Sequence, residues 1–141
     1  MVIAVEFDGT IVEDKYPGIG KEKPYASFIL NKLRERGHQL ILYSHRTGLE
    51  LEAALNWCKE NDIPVKAPHQ SRLGRNLPHS NTQKMEADLF IDARNLGGLP
   101  GWMEVFWMIH PEEAEQIKLK KNLKKEPGIK KLKKLFFPGN K

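Results

Sequence analysis

Cysteine is almost missing from this sequence. Cys58 is the one cysteine in 141 residues, which excludes an internal disulfide and a zinc site built on several thiolates. Long apolar runs are also missing, and none approaches the ~18 residues of a membrane span. The first residues lack the basic start and extended apolar stretch of a secretory signal, so the expected location is the cytoplasm. Basic residues are outnumbered through most of the chain. Residues 1–116 hold 13 Lys and Arg against 17 Asp and Glu, whereas residues 117–141 hold 10 Lys and a single acid, Glu126. The formal net charge of +5 therefore belongs to the tail and says nothing about the body. The expected division is a domain over 1–116 and a lysine-rich segment over 117–141. Hydrophobic residues make up 40% of the chain, enough for one domain with a true core.

The order of elements is legible from periodicity. VIAVEFDGTIV (2–12) opens as a short β-branched run closed by a glycine, which reads as a buried strand. Side chains alternate along a strand, so Glu6 and Asp8 are expected on one face. Pro24 suits a first helical position and Gly37 the residue just past a helix end. Between them Ala26, Ile29, Leu30 and Leu33 follow helical spacing. QLILYS (39–44) is a second strand. Thr47 to Glu50 reads as a capping box opening a helix that carries Leu51, Ala54, Leu55 and Cys58 on one face. IPVKA (63–67) is a shorter strand, and a polar loop with His69, Arg72, Arg75 and His79 follows over about 68–82. ADLFID (87–92) is the fourth strand. The turn RNLGGLPGW, the apolar stretch MEVFWMI (103–109) and a helix opening at Pro111 complete the body. No internal repeat is visible. The alternation predicts an α/β domain, three-layered and Rossmann-like, with a central, mostly parallel sheet.

Ligands of such sheets bind beyond the carboxyl ends of the strands. Glu6 and Asp8 lie at the end of the first strand, Ser44 and Arg46 at the second, and Asp92 at the fourth, with Lys84 just before it. Oxygen donors without soft partners suit Mg²⁺. A carboxylate can attack phosphorus to form an acyl phosphate that water then hydrolyses. Such a reaction needs cations and donors for the developing charge, and a second carboxylate to carry a proton. This rim holds a candidate for each role.

Four segments in register then resemble the haloacid dehalogenase-like phosphohydrolases. Glu6-Phe7-Asp8-Gly9-Thr10 is similar to the first motif, Ser44 to the second, Lys84 to the third and Asp92 to the fourth. The DGTIV start, YPGIG and IDARNLGGLP look like a small capless bacterial branch of that superfamily. The resemblance covers about residues 1–110. It implies Glu6 at the nucleophile position and Asp8 as general acid/base. Ser44 and Lys84 would hold the phosphoryl group, with Arg46 a further substrate contact. Glu6, Asp8 through its carbonyl, and Asp92 would hold Mg²⁺. The gaps at 9–23 and 68–86 are too short for a separate cap. An open site suits a phosphorylated macromolecule, or a small phosphate ester with the cap supplied by a partner or oligomer. Two positions depart from the pattern: Glu6 stands where the family has Asp, and Ala93 where this branch often has a second Asp. Both weaken catalysis, so an inactive relative that binds metal or phosphate is the alternative function.

Each residue also has a plainer role. Glu6 could pair with a cation such as Lys84, and Arg46 with an acidic neighbour such as Glu50. Cys58 reads as core packing, and Trp102, Phe106 and Trp107 as packing against the sheet. In the tail, GIKKLKKLFF has helical apolar spacing between lysines. It suits an anionic membrane surface or nucleic-acid phosphates, or else a solvated tail.

Overall fold

The structure, a computed structural model, describes residues 1–67 and 86–125, with side chains through residue 119. Lys84, the polar loop of 68–82 and the GIKKLKKLFF segment lie outside the described residues. The order of elements is β1 (Val2–Glu6), α1 (Ala26–Glu35), β2 (Gln39–Tyr43), α2 (Gly48–Glu60), β3 (Val65–Lys66), β4 (Leu89–Ile91), α3 (Trp102–Ile109) and α4 (Pro111–Lys125). The four strands form one all-parallel sheet in the order β3-β2-β1-β4. Flanked by helices, it is a small Rossmann-like α/β domain. The chain divides into two compact units, Met1–Met103 and Glu104–Lys141. That division falls inside α3, whereas the change in charge at residue 117 falls inside α4.

Every residue of β1 is buried. A strand enclosed on both faces has no need of polar alternation, so Val2 to Val5 form a continuous apolar run. The register is fixed from both sides. Val2 pairs with Gln39 and Glu6 with Tyr43 in β2, while Ile3 pairs with Leu89 and Val5 with Ile91 in β4. At the amino end, Asp88 reinforces this register: its carboxylate accepts from the Val2 amide at 2.6 Å, and its own amide donates to the Val2 carbonyl. One step beyond the last β1–β4 pair, Glu6 is level with Asp92.

The helix faces agree with the periodicity in α1, where Ala26, Ile29, Leu30 and Leu33 are all buried. In α2 only Ala54 and Cys58 are fully buried, with Leu51 and Leu55 half-buried. Two helix starts differ from expectation. The helix expected to begin at Pro24 begins at Ala26, behind Tyr25 in the left-handed region (φ 68°). Thr47 occupies the N-cap of α2, but its side chain makes no capping bond, so the capping box does not form. MEVFWMI, with Trp102 before it, is helical as α3, and α4 opens at Pro111.

The C-termini of α1 and α2 share one device. Gly37 (φ 82°) follows α1, with its amide bonded to Arg34 O and the His38 amide to Leu33 O. This pair of bonds is a Schellman closure, which needs a left-handed residue. Asp62 (φ 55°) takes that position after α2, with Asp62 N bonded to Lys59 O and Ile63 N to Cys58 O. A side chain there costs energy that glycine avoids. Asp62→Gly is therefore expected to raise stability by up to about 1 kcal/mol, read as a higher urea midpoint. A lower midpoint would show that the Asp62 side chain contributes more than its backbone conformation costs.

Candidate functional site

The turn after β1 builds the site. The Phe7 carbonyl accepts from the amides of Thr10, Ile11 and Val12, so the chain reverses within a few residues. Gly9 supplies the left-handed conformation this needs (φ 76°). Thr10 is fully buried and ties two segments to the turn. Its hydroxyl accepts from the Ala93 amide at 2.9 Å, and its carbonyl accepts from the Trp102 indole at 3.1 Å. The chain then closes a loop over residues 13–21. Glu13 N donates to Lys21 O and Lys23 N to Ile11 O, each at 2.8 Å. Gly20 passes so close to Glu13 that a Cβ would run into its backbone carbonyl.

The strand ends at Glu6, so the pleat no longer governs Asp8. The two carboxylates expected side by side instead enter two separate ion-pair systems. The first is Glu6, Asp92 and Arg94. Glu6 is only 2% exposed. Its Oε2 lies 3.3 Å from the Arg94 guanidinium, which also donates to both oxygens of Asp92, at 3.2 and 3.0 Å. The Arg94 amide adds a further bond to Asp92 Oδ1 at 2.8 Å. Two carboxylates at the ends of adjacent parallel strands thus share one cation.

Burial pushes the Glu6 carboxyl up to about 7. Arg94 opposes the shift, and the nearby Asp92 and Asp8 charges add to it. Asp92 is moved the other way, below the usual carboxylate range, chiefly by its bond to Arg94. Glu6 has a consequence for stability. The folded chain holds a proton that the unfolded chain releases above its ordinary value of 4.5. Stability is therefore lost as pH rises from that value through about 7. The loss is on the order of 3 kcal/mol, at ~1.4 kcal/mol per unit. Glu6→Gln is expected to remove this component. Urea midpoints between about pH 5 and about pH 8 should fall for the parent and fall less for the variant. Equal slopes would mean that Glu6 is not the titrating group.

The second system is Asp8, Arg46 and Ser44. Arg46 is buried and grips Asp8 with a two-pronged ion pair, Nε to Oδ2 and Nη2 to Oδ1, both 2.7 Å. It also donates to the carbonyls of Pro17 (3.0 Å) and Gly18 (2.6 Å). Its guanidinium carbon lies 5.2 Å from the centre of the Phe7 ring and 5.3 Å from that of Tyr16, both within cation–π range. The Asp8 bond strengthens Arg46's hold on its proton. Ser44, just past β2, accepts from the Arg46 amide at 3.2 Å.

These contacts bear on three expectations. Arg46 pairs with a carboxylate as one reading expected, though with Asp8 and not Glu50, and its buried guanidinium is committed to internal partners, so it does not present a free substrate contact. Glu6 does pair with a cation, Arg94, while Lys84, the cation named in the sequence reading, lies outside the described residues. Asp8 has both oxygens accepting from Arg46, which suits it to holding the loop at 13–21 more than to passing a proton. Arg94 was missed in the sequence. The available signal was its place two residues beyond Asp92 in a strand that had just ended. Cys58 is buried, and burial pushes its thiol up to about 12, in keeping with packing.

Among the described residues, one group of three ligand side chains is clustered, at His110, Glu112 and Glu113, and Glu6 with Asp92 forms a pair of carboxylates of the expected site. Glu6 and Asp92 offer hard oxygen ligands already facing a positive charge, the chemistry that a hard divalent ion takes. His110, Glu112 and Glu113 bring ligand atoms within 4.8 Å of one another. The latter group lies at the amino end of α4. There carboxylates are favoured by the helix dipole and a cation is opposed by it, so the first-turn position already accounts for them. No described helix is long and apolar enough to cross a membrane.

Comparison with known proteins finds a similar solved structure for this chain. No family model matches the chain, and no curated protein does. A solved structure described as a conserved protein coded by a locus from Bacteroides thetaiotaomicron is similar. It is 42% identical, with a TM-score of 0.70, over 79% of this chain and 91% of that chain. At that identity and coverage, this chain belongs to the same family as the conserved Bacteroides protein.

Proposed function

We propose that the chain is a cytoplasmic, Mg²⁺-dependent phosphohydrolase of the haloacid dehalogenase-like type, acting on phosphomonoesters. The observation that carries this reading is the meeting of Glu6 and Asp92 over one cation at the carboxyl ends of β1 and β4. That is where an open parallel sheet offers its ligand site. Glu6 and Asp92, with the Asp8 backbone carbonyl, would hold the ion, which would supply positive charge for the phosphoryl oxygens. The Glu6 carboxylate would attack phosphorus and break its bond to the ester oxygen, which would leave as the alcohol by taking a proton from solvent water. A second water would then hydrolyse the acyl phosphate to inorganic phosphate and the free Glu6 carboxylate. Ser44 and Lys84 would receive the phosphoryl oxygens. Arg46 would keep the 13–21 loop closed beside them.

A second reading has its own support. Arg46 occupies both Asp8 oxygens, Glu6 is one methylene longer than aspartate, and Ala93 brings no charge. These features favour a module that binds metal and phosphate without fast turnover. Hydrolysis of p-nitrophenyl phosphate by the full chain, with Mg²⁺ and with a chelator, separates the two. Turnover that disappears with chelator supports the enzyme. Metal binding without turnover supports the module. The lysine-rich 117–141 segment would add contact with an anionic surface, for which salt-dependent binding to anionic vesicles or to RNA is the check.

A further inference from the structure

We propose that Arg94 is a counter-cation built into this site. Its guanidinium neutralises Glu6 and Asp92 while no divalent ion is bound, leaves when one binds, and then receives a phosphate oxygen. The proposal rests on Glu6 and Asp92 being the metal-holding pair.

The three partners differ in freedom. The side chains of Glu6 and Asp92 are 3% and 12% exposed, whereas that of Arg94 is 57% exposed. The carboxylates are therefore fixed by their strands, and the arginine is the partner able to leave. Its backbone is anchored independently, through the amide bond to Asp92 and through the neighbouring Ala93 amide bonded to Thr10. Rotation of the long side chain leaves that turn intact. Mg²⁺ binds oxygens at about 2.0–2.1 Å and tolerates little distortion. A guanidinium nitrogen 3.0–3.3 Å from the same two carboxylates fills the space between them with like charge. Ion and arginine therefore compete for one position. Once displaced, the guanidinium stays tethered at the rim of the sheet. Its fork of donors matches a phosphate better than an ammonium does.

The same residue thus weakens metal binding and strengthens phosphate binding. A purely structural surface ion pair would do neither. The test is calorimetric titration of the full chain and of Arg94→Met, first with Mg²⁺ and then with inorganic phosphate at saturating Mg²⁺. The variant is expected to bind Mg²⁺ about tenfold more tightly and phosphate about tenfold more weakly. Equal or weaker Mg²⁺ binding by the variant overturns the competition, and unchanged phosphate affinity overturns the second role. Either result leaves the metal-holding pair in place. Absence of Mg²⁺ binding in both chains overturns this proposal together with the metal site it rests on.

Discussion

Glu6→Asp is expected to raise Mg²⁺-dependent hydrolysis of a simple phosphomonoester by about a hundredfold. The reason is geometric. Glu6 ends a strand whose register is fixed on both sides, by β2 and by β4, so its backbone has little room to retreat. The glutamate side chain carries its oxygens ~1.5 Å, one C–C bond, beyond those of aspartate. In-line attack on phosphorus is sensitive to displacement of that size, and a ~1 Å error can cost ~10²-fold. The check is kcat for the two chains at saturating Mg²⁺, with thermal melts confirming that both are folded. Equal rates would show that the longer carboxylate is placed well enough. Inactivity of both, with Mg²⁺ bound, would favour the binding module.

Arg46→Met is expected to destabilise the chain by about 3–5 kcal/mol, the usual cost of removing one partner from a buried ion pair. Four of the guanidinium's hydrogen bonds end on Asp8, Pro17 and Gly18. Methionine keeps much of the volume between Phe7 and Tyr16 but replaces none of those bonds. Asp8, with its side chain only 14% exposed, would be left without its counter-charge. Lysine would retain charge but not the fork that meets both oxygens. Urea denaturation gives the difference. Adding Asp8→Asn to Arg46→Met should restore part of the loss, because the orphaned charge is then gone. A single-variant loss below about 1 kcal/mol would place the pair with ordinary surface ion pairs.

Much of this molecule was legible in the sequence because local and global signals coincide. The apolar run of β1, the i, i+3, i+4 face of α1 and Gly37 each point to the conformation observed, as does the strand–helix alternation to a parallel sheet. The ends of elements were harder to read. Whether Thr47 caps α2 depends on a side-chain rotamer, and the helix forms without that bond. Glu6 and Asp8 were read as neighbours on one face because both were assigned to a strand. The Phe7-centred turn begins between them and sends the carboxylates to different arginines. Such pairings are tertiary: Asp8 and Arg46 are 38 positions apart, Glu6 and Arg94 are 88 apart. Spacing along the chain identifies candidate charges but does not assign partners.

A crystal of the full chain soaked in Mn²⁺, examined by anomalous scattering, tests the proposed centre most directly. Mn²⁺ takes the same hard oxygen ligands as Mg²⁺. The expected map has its strongest peak in contact with the carboxylates of both Glu6 and Asp92, with the Arg94 side chain turned away from them. A map with its peak at His110, Glu112 and Glu113, or with none between Glu6 and Asp92, would contradict the assignment of this site.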